Sequence, residues 1–136
     1  MRILVDTNVF ISAAGWPNSK PRLVLDFIDA NHHMMICSQT IFESFEVIIR
    51  KIPSKIVSMA ELLTNYHIDY VQTVSMSPEI IRDKTDQPIL NAAFFNDADI
   101  ILTGDKDFLS LNLSRPECLT PDQFMQKYMY NDQYYS

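Results

Sequence analysis

Short apolar runs alternate along the chain with longer amphipathic segments. The apolar runs are rich in β-branched residues and are bounded by polar or turn-forming residues, a pattern typical of buried strands. They predict five strands, at residues 2–5, 33–37, 68–73, 99–103 and 117–119. Strands that alternate with helix-length segments predict a mostly parallel sheet with helices on both faces.

The segments between the predicted strands carry apolar residues at helical spacing. They predict helices at residues 7–14, 20–30 and 39–51, and, after a break at Pro53 and Ser54, a further helix to about Tyr66. They also predict a helix capped by Thr85 that runs to Phe95, one at 105–111, and a last one opened by Thr120-Pro121-Asp122. In the third helix Ser38 is the expected N-cap. One buried stripe of that helix is expected to contain Ile41, Phe42, Phe45, Ile48, Ile49 and Ile52.

The composition fits one globular domain. The 136 residues are 47% hydrophobic and 21% charged, and no repeat, linker or shift in composition divides them. We therefore expect a single domain over residues 1–130, followed by a C-terminal tail at residues 131–136. The N-terminus lacks the features of a secretory signal, and no segment approaches the ~20 apolar residues of a membrane span, so a cytoplasmic location is expected.

The cysteines and the net charge narrow the classes of function. Cys37 and Cys118 show no metal-ligand spacing and are expected to be reduced, buried thiols. The net charge of −6 argues against a protein that holds nucleic acid by bulk electrostatics. That objection weakens if several carboxylates are gathered at one place and neutralised there by bound cations.

Two acidic residues directly follow predicted strands. Asp6 ends the first strand, and Asp105 follows the fourth. Because ligands bind beyond the carboxyl ends of strands in an open parallel sheet, both carboxylates are expected to face one crevice. Each could equally be the N-cap of the helix that follows it, and taken singly neither sequence position separates the two interpretations.

Two further acids lie on predicted helices. Asp86 falls in the first turn of its helix, where the helix dipole favours an anion, and Asp83 adds charge to the same turn. Glu43 shares a polar face with Glu46 and Arg50, so it could simply be solvated. Taken together with Asp6 and Asp105, however, these acids would repel one another unless hard divalent cations such as Mg²⁺ or Mn²⁺ bound them. One or two such ions can activate water for attack on a phosphodiester.

Four segments carry a resemblance to a known family. They are residues 3–11 (ILVDTNVFI), 43–50 (ESFEVIIR), 83–93 (DKTDQPILNAA) and 98–109 (ADIILTGDKDFL), in the family's order and over nearly the whole chain. With these segments the chain resembles the PIN-domain nucleases, particularly the prokaryotic toxin components of the VapC kind. The first and last segments are individually specific, and the middle two are convincing in their company.

The resemblance implies a three-layer α/β/α sandwich around a sheet of about five strands, and metal-dependent endoribonuclease activity. It implies that Asp6, Glu43, Asp86 and Asp105 are the acidic quartet that binds metal and catalyses. It also implies supporting roles for Asn8, Thr103 and Asp107, with Asp83 as a further nearby acid. A small antitoxin and a tendency to dimerise are implied partners. Ser44 departs from the Leu that often follows the helix acid, so the choice of Glu43 over Glu46 rests on spacing.

Substrate contacts are the least specified part of this interpretation. Arg50, Lys51 and Lys55 form a local basic cluster that could hold RNA phosphates, or could be solvated charges at a helix C-terminus. Trp16 follows the first motif and could contact substrate or pack against the domain.

Three different functions would use the same acids. A phosphohydrolase with Asp6 as nucleophile is disfavoured, because Asn8 stands where the best-known family of that type has a second Asp. A non-catalytic domain that binds RNA or protein stays open, and so does a nuclease directed at DNA through the same site.

Overall fold

The computed structural model describes residues 1–74 and 86–130. The strands of this part are β1 (Arg2–Val5), β2 (His33–Cys37), β3 (Ile68–Val71), β4 (Ile100–Leu102) and β5 (Glu117–Leu119). The helices are α1 (Thr7–Gly15), α2 (Lys20–Asn31), α3 (Ser38–Lys51), α4 (Ile56–Asn65), α5 (Gln87–Phe95), α6 (Lys106–Leu109) and α7 (Pro121–Phe124). A 3-10 turn at Pro53–Lys55 precedes α4, and a π-helical turn at Met125–Met129 follows α7.

Within the described ranges the strands form one five-stranded sheet in the order β3-β2-β1-β4-β5, and every pair is parallel. The central strand β1 pairs with β2 through Ile3 and Met34, and with β4 through Ile3 and Ile100. Because all strands run the same way, their carboxyl ends lie at one edge. That edge is where the residues after β1 and β4 are brought together.

Helices cover both faces of the sheet, as the pattern predicted. Along β1, Ile3 and Val5 belong to the core under α1–α4 and α7, while Leu4 belongs to the core under α5 and α6. This alternation follows from the two-residue period of a strand. The result is the three-layer α/β/α sandwich expected from the sequence. None of the helices in residues 1–74 and 86–130 has both the length and the apolar composition needed to cross a bilayer.

The strand and helix boundaries differ from the predicted ones in a few places. Ser38 does not cap α3: the helix begins at Ser38 itself after Cys37, and the Ser38 hydroxyl donates to the Val71 carbonyl at 3.4 Å. Strand β3 ends at Val71 rather than at Thr73. The Thr73 backbone N–H donates to Gln39 Oε1 at 2.9 Å, so a side chain replaces a neighbouring strand as its partner.

The apolar stripe predicted on α3 is only partly buried. Ile41 and Ile48 are 5% and 2% exposed, whereas Phe42 is 73% and Ile49 is 60% exposed. At about 100° per residue, Phe42 and Ile49 lie roughly a quarter-turn away from the buried pair, which places them outside the contact with the sheet. The predicted stripe was therefore too wide.

The C-terminal part of the described chain follows the prediction closely. Thr120 caps α7 in a capping box with Gln123, in which each side chain bonds to the other residue's backbone. Pro88 lies in the first turn of α5, as expected. Thr85, the predicted cap of that helix, and the predicted tail at residues 131–136 lie outside the described residues.

Candidate active site

Asp6 lies at the junction of β1 and α1, and both of its carboxylate oxygens accept hydrogen bonds. Oδ1 accepts from the backbone N–H of Asn8 at 3.2 Å and thereby caps α1. Oδ2 accepts from the Thr103 hydroxyl at 2.7 Å. The capping interpretation and the site interpretation are therefore both consistent with the geometry. Asn8 supports Asp6 through its backbone, while its own side chain is exposed.

Thr103 joins the two strand-end acids. The residue is fully buried after β4, and its hydroxyl oxygen also accepts the Asp105 backbone N–H at 3.0 Å. Asp105 in turn caps α6, because its Oδ1 accepts the Asp107 N–H at 2.9 Å. One hydroxyl group thus bonds both to the carboxylate of Asp6 and to the backbone of Asp105.

A cavity of about 340 Å³ opens between α1, α3 and the start of α5. Its lining includes Asp6 from β1, Glu43 from α3 and Asp86 from the residue before α5. Asp86 is the N-cap residue of α5, one position before the predicted first turn, and Glu43 is exposed on the opposite wall. The structure therefore brings three of the four predicted acids to one cavity.

Asp105, the fourth predicted acid, belongs to a second group of acids, which shares one member with the acids of the cavity. Asp86, Asp105 and Asp107 each offer a carboxylate oxygen, and the three oxygens lie within 4.8 Å of one another. Carboxylate oxygens at this spacing fit a hard divalent cation such as Mg²⁺ or Mn²⁺. Asp86 is shared by both groups, so the acids form one continuous edge. Asp107, predicted only as a supporting acid, is placed as closely as any other.

Hydrogen bonds between hydroxyl groups connect the two helices of the cavity wall. The Thr7 hydroxyl donates to Thr40 Oγ1 at 2.7 Å, and the Thr40 hydroxyl donates to the Cys37 carbonyl at 2.9 Å. Thr40 lies one turn before Glu43, so these hydrogen bonds hold α3, which carries Glu43, against α1. Sequence reasoning missed the pair because its members are 33 residues apart and neither belongs to a charged pattern.

The surroundings of the acids are negative and partly apolar. Within residues 1–74 and 86–130, Asp6, Glu43 and Asp105 form no ion pair with a lysine or arginine side chain. Cys37 is buried near this edge, and burial together with the Asp6 charge raises the pKa of its thiol to about 11. The Cys37 thiol is therefore protonated at neutral pH. Burial likewise raises the pKa of Cys118 to about 11, although that residue is only half-buried.

The predicted basic cluster does not line the cavity. Arg50 and Lys51 are exposed in the last turn of α3. The Lys55 ammonium donates to the Gly15 carbonyl at 3.0 Å and lies 5.8 Å from the centre of the Trp16 ring. Lys55 therefore stabilises the C-terminal end of α1 by bonding to its last carbonyl. The prediction for Asp83 lies outside the described residues.

Three comparisons with known proteins agree with this architecture. A sequence model for the PIN domain matches residues 2–107. The uncharacterized protein MJ1680 of Methanocaldococcus jannaschii is 31% identical over 117 residues, which covers 82% of this chain and 75% of the relative. A crystal structure of VapBC2 from Rickettsia felis, bound to a DNA fragment from their promoter, contains a chain of the same fold. The TM-score is 0.63 at 14% identity, over 88% of this chain and 98% of that chain.

Proposed function

The chain belongs to the PIN domain family, and on that premise we propose that it is a divalent-metal-dependent endoribonuclease, the toxin of a toxin–antitoxin pair. PIN domains are generally nucleases. The observation that carries the proposal for this chain is the continuous acidic edge. Asp6 and Asp105 are fixed to one another through the Thr103 hydroxyl, and Asp86 connects them to Glu43 and Asp107.

The proposed cofactor is Mg²⁺ or Mn²⁺, held by Asp6, Glu43, Asp86 and Asp105, with Asp107 beside them. The fit rests on the donor set, since all of these groups are carboxylates, and one oxygen each of Asp86, Asp105 and Asp107 lies within 4.8 Å of the other two. When bound, such a cation supplies an activated water and offsets charge on the phosphodiester. The site leaves room for a substrate phosphate in the cavity of about 340 Å³.

The chain's own residues have separable roles in this proposal. Thr103 fixes the orientation of the Asp6 carboxylate, and the N–H groups of Asn8 and Asp107 orient Asp6 and Asp105 respectively. Glu43 projects from α3 on the other wall, so a phosphate in the cavity would lie between it and the strand-end acids. Ile11 and Val47 belong to the apolar part of the cavity lining.

The substrate and the partners are proposed from the family resemblance and from the VapBC2 likeness. RNA is the proposed substrate, in preference to DNA. A small antitoxin is the proposed partner because the structural neighbour is a VapBC complex. A homodimer and a cytoplasmic location complete the proposal.

The first experiment is cleavage of defined single-stranded RNAs and sequence-matched DNAs with Mg²⁺, Mn²⁺ or EDTA. We expect cutting of RNA that needs the cation and is lost in Asp6→Asn. A matched control is Asp99→Asn, which neutralises an acid at the opposite end of the sheet. Cutting of DNA in preference to RNA would overturn the proposal that RNA is the substrate. The absence of cutting by folded, metal-saturated protein would favour a binding domain.

The partner needs a separate measurement. The purified chain is mixed with the product of the adjacent reading frame and resolved by gel filtration with light scattering. Co-elution with loss of cleavage is expected for an antitoxin. Independent elution with undiminished cleavage would contradict the toxin role while leaving the nuclease intact.

A further inference from the structure

A basic corner lies at the end of α1 and α3 that is remote from the acids. It consists of Trp16, Arg50, Lys51 and Lys55. Four other cations of the described chain are paired with acids, in Lys20–Asp122, Arg22–Asp26, Arg115–Asp99 and Lys127–Glu117. Within the same ranges the three cations of the basic corner form no ion pair. In a protein with a net charge of −6, this is a local concentration of uncompensated positive charge.

Trp16 is held at this corner with its indole exposed. The side chain is 60% exposed directly after α1, and the Lys55 ammonium lies 5.8 Å from the ring centre. Because the same ammonium donates to the Gly15 carbonyl at 3.0 Å, Lys55 fixes the ring to the helix end. A cavity of about 380 Å³ opens against Trp16, Pro17, Asn18 and Ser19. A fixed, exposed aromatic ring beside cations is the combination on which unpaired bases stack.

The acids and the basic corner lie toward opposite ends of α1 and α3. Asp6 caps α1 at its start, and Trp16 follows its last residue, so the two lie about 14 Å apart along a helix of nine residues. Along α3, Glu43 and Arg50 are separated by about 10 Å. The cavity that contains Asp6 and Glu43 extends along both helices to Ile11 and Val47, in the direction of the basic corner.

We propose that Trp16 is a base-stacking subsite for single-stranded RNA, a few nucleotides from the phosphate at the acids. Arg50 and Lys51 contact the RNA backbone, and Lys55 is a positioning residue that holds the indole. The position of the cut relative to this subsite rests on the proposed nuclease function, whereas binding of the strand does not. The assignment changes the role predicted for Lys55, because its ammonium already contacts Gly15 and Trp16.

The chain contains one tryptophan, so its intrinsic fluorescence reports Trp16 alone. Wild-type protein in EDTA, which prevents cutting, is titrated with a single-stranded RNA octamer and with a fully paired RNA duplex. We expect saturable quenching by the single strand and little by the duplex. Quenching by neither, or equally by both, overturns the subsite. In the first case Trp16 would be a surface for a protein partner instead.

Affinity is then measured by anisotropy of a labelled octamer. Stacking of one base contributes ~1–3 kcal/mol, so Trp16→Ala should raise Kd by about 5- to 150-fold, and Trp16→Phe should restore part of the affinity. Phe95→Ala is the matched control, because Phe95 is 74% exposed on the other face of the sheet. Lys51→Gln should lower the slope of log K against log salt by about one. Equal losses in Trp16→Ala and Phe95→Ala would contradict a specific subsite.

Cleavage kinetics separate this inference from the proposed function. In Trp16→Ala, KM for RNA should rise by the same factor as Kd, with kcat changed by less than about twofold. If wild type cuts RNA and Trp16→Ala has an unchanged KM, the subsite is wrong and the nuclease stands. If no RNA is cut but binding still depends on Trp16, the nuclease is wrong and the subsite stands.

Discussion

Acidic residues at the two ends of the sheet have different kinds of hydrogen-bond and ion-pair partners. At the amino-terminal ends of the strands, four acids contact cationic or ionisable partners. Asp99 accepts the Arg2 backbone N–H at 2.7 Å and the Arg115 side chain at 3.2 Å. Three other pairs at this end are Asp69 with His33, Asp29 with His67, and Glu117 with Lys127. These acids have partners for their charge within the chain.

At the carboxyl-terminal ends, the described donors to Asp6 and Asp105 are uncharged. They are the Thr103 hydroxyl and the backbone N–H groups of Asn8 and Asp107. Such donors fix the direction of a carboxylate but bring no opposite charge to it. The comparison separates acids whose charge is paired within the chain from two helix-capping acids whose charge is not, and a divalent cation is the ligand that the proposed function supplies for these two.

The largest expected effect is the difference in RNA cleavage between two single variants, each of which removes one negative charge from one end of the sheet. Asp6→Asn should lower RNA cleavage by about 10³-fold or more, because several kcal/mol of charge stabilisation depend on the cation held there. Asp99→Asn should leave cleavage unchanged. Asparagine is still a good N-cap, so the free energy of unfolding of metal-free Asp6→Asn should remain within about 1 kcal/mol of wild type. Cleavage assays paired with denaturant unfolding of both variants test the contrast, and equal loss of activity in the two would remove it.

Metal binding at the carboxyl-terminal end should stabilise the whole domain, and this gain should depend on the acids of that end. A cation at about 100 times its Kd adds ~2.7 kcal/mol to the free energy of unfolding, which for this size raises Tm on the order of 10 °C. Thermal unfolding with Mn²⁺ and with EDTA should show this rise in wild type and in Asp99→Asn but not in Asp6→Asn. A rise of the same size in all three proteins would place the cation elsewhere.

The Thr103 hydroxyl gives a finer test of orientation as distinct from charge. Thr103→Val keeps the shape of the side chain and every carboxylate, but removes the bond to Asp6 and the acceptor for the Asp105 N–H. Loss of a group that orients a metal ligand typically lowers affinity or activity by about 10- to 100-fold. Mn²⁺ titration by calorimetry measures it, and Thr103→Ser should recover most of the affinity. If serine were as defective as valine, the hydroxyl would not be the cause.

The smallest effect is a pH dependence at the amino-terminal end. The Arg2 backbone N–H, followed by Arg115 and the amino terminus, holds the pKa of Asp99 below its usual value. A lowered folded-state pKa adds stability above the unfolded value near ~3.9 and loses it as pH falls through the folded value. Since the pair is partly exposed, wild type should exceed Asp99→Asn by under about 1 kcal/mol at pH 7. Unfolding free energies between pH 7 and 3 should converge at the acid end, and a constant difference would show that Asp99 stabilises by another route.

The sequence was sufficient to predict the strands and helices and the positions of the two acids that follow strands. Each strand is a short apolar run, and Asp6 and Asp105 directly follow two of them, so the parallel sheet fixes their position. The exposure of Phe42 and Ile49 could not be predicted, because it depends on how far α3 turns toward the sheet. The contact of Lys55 with Gly15 joins residues 40 apart and has no local signal. Asp107 was undervalued because its spacing from Asp105 indicates a helix cap as readily as a ligand.

The pairing of β1 with β4 also constrains when the protein can act. During synthesis β1 can pair with β2 as soon as that strand emerges from the ribosome, but its other neighbour, β4, is synthesised almost one hundred residues after β1. The Thr103 hydroxyl that fixes Asp6 belongs to this late part, at a sequence separation of 97. A nascent chain therefore carries Asp6 long before it carries the rest of the acidic edge. For a nuclease that would otherwise meet RNA during its own translation, this order of assembly delays activity until the residues after β4 have been synthesised.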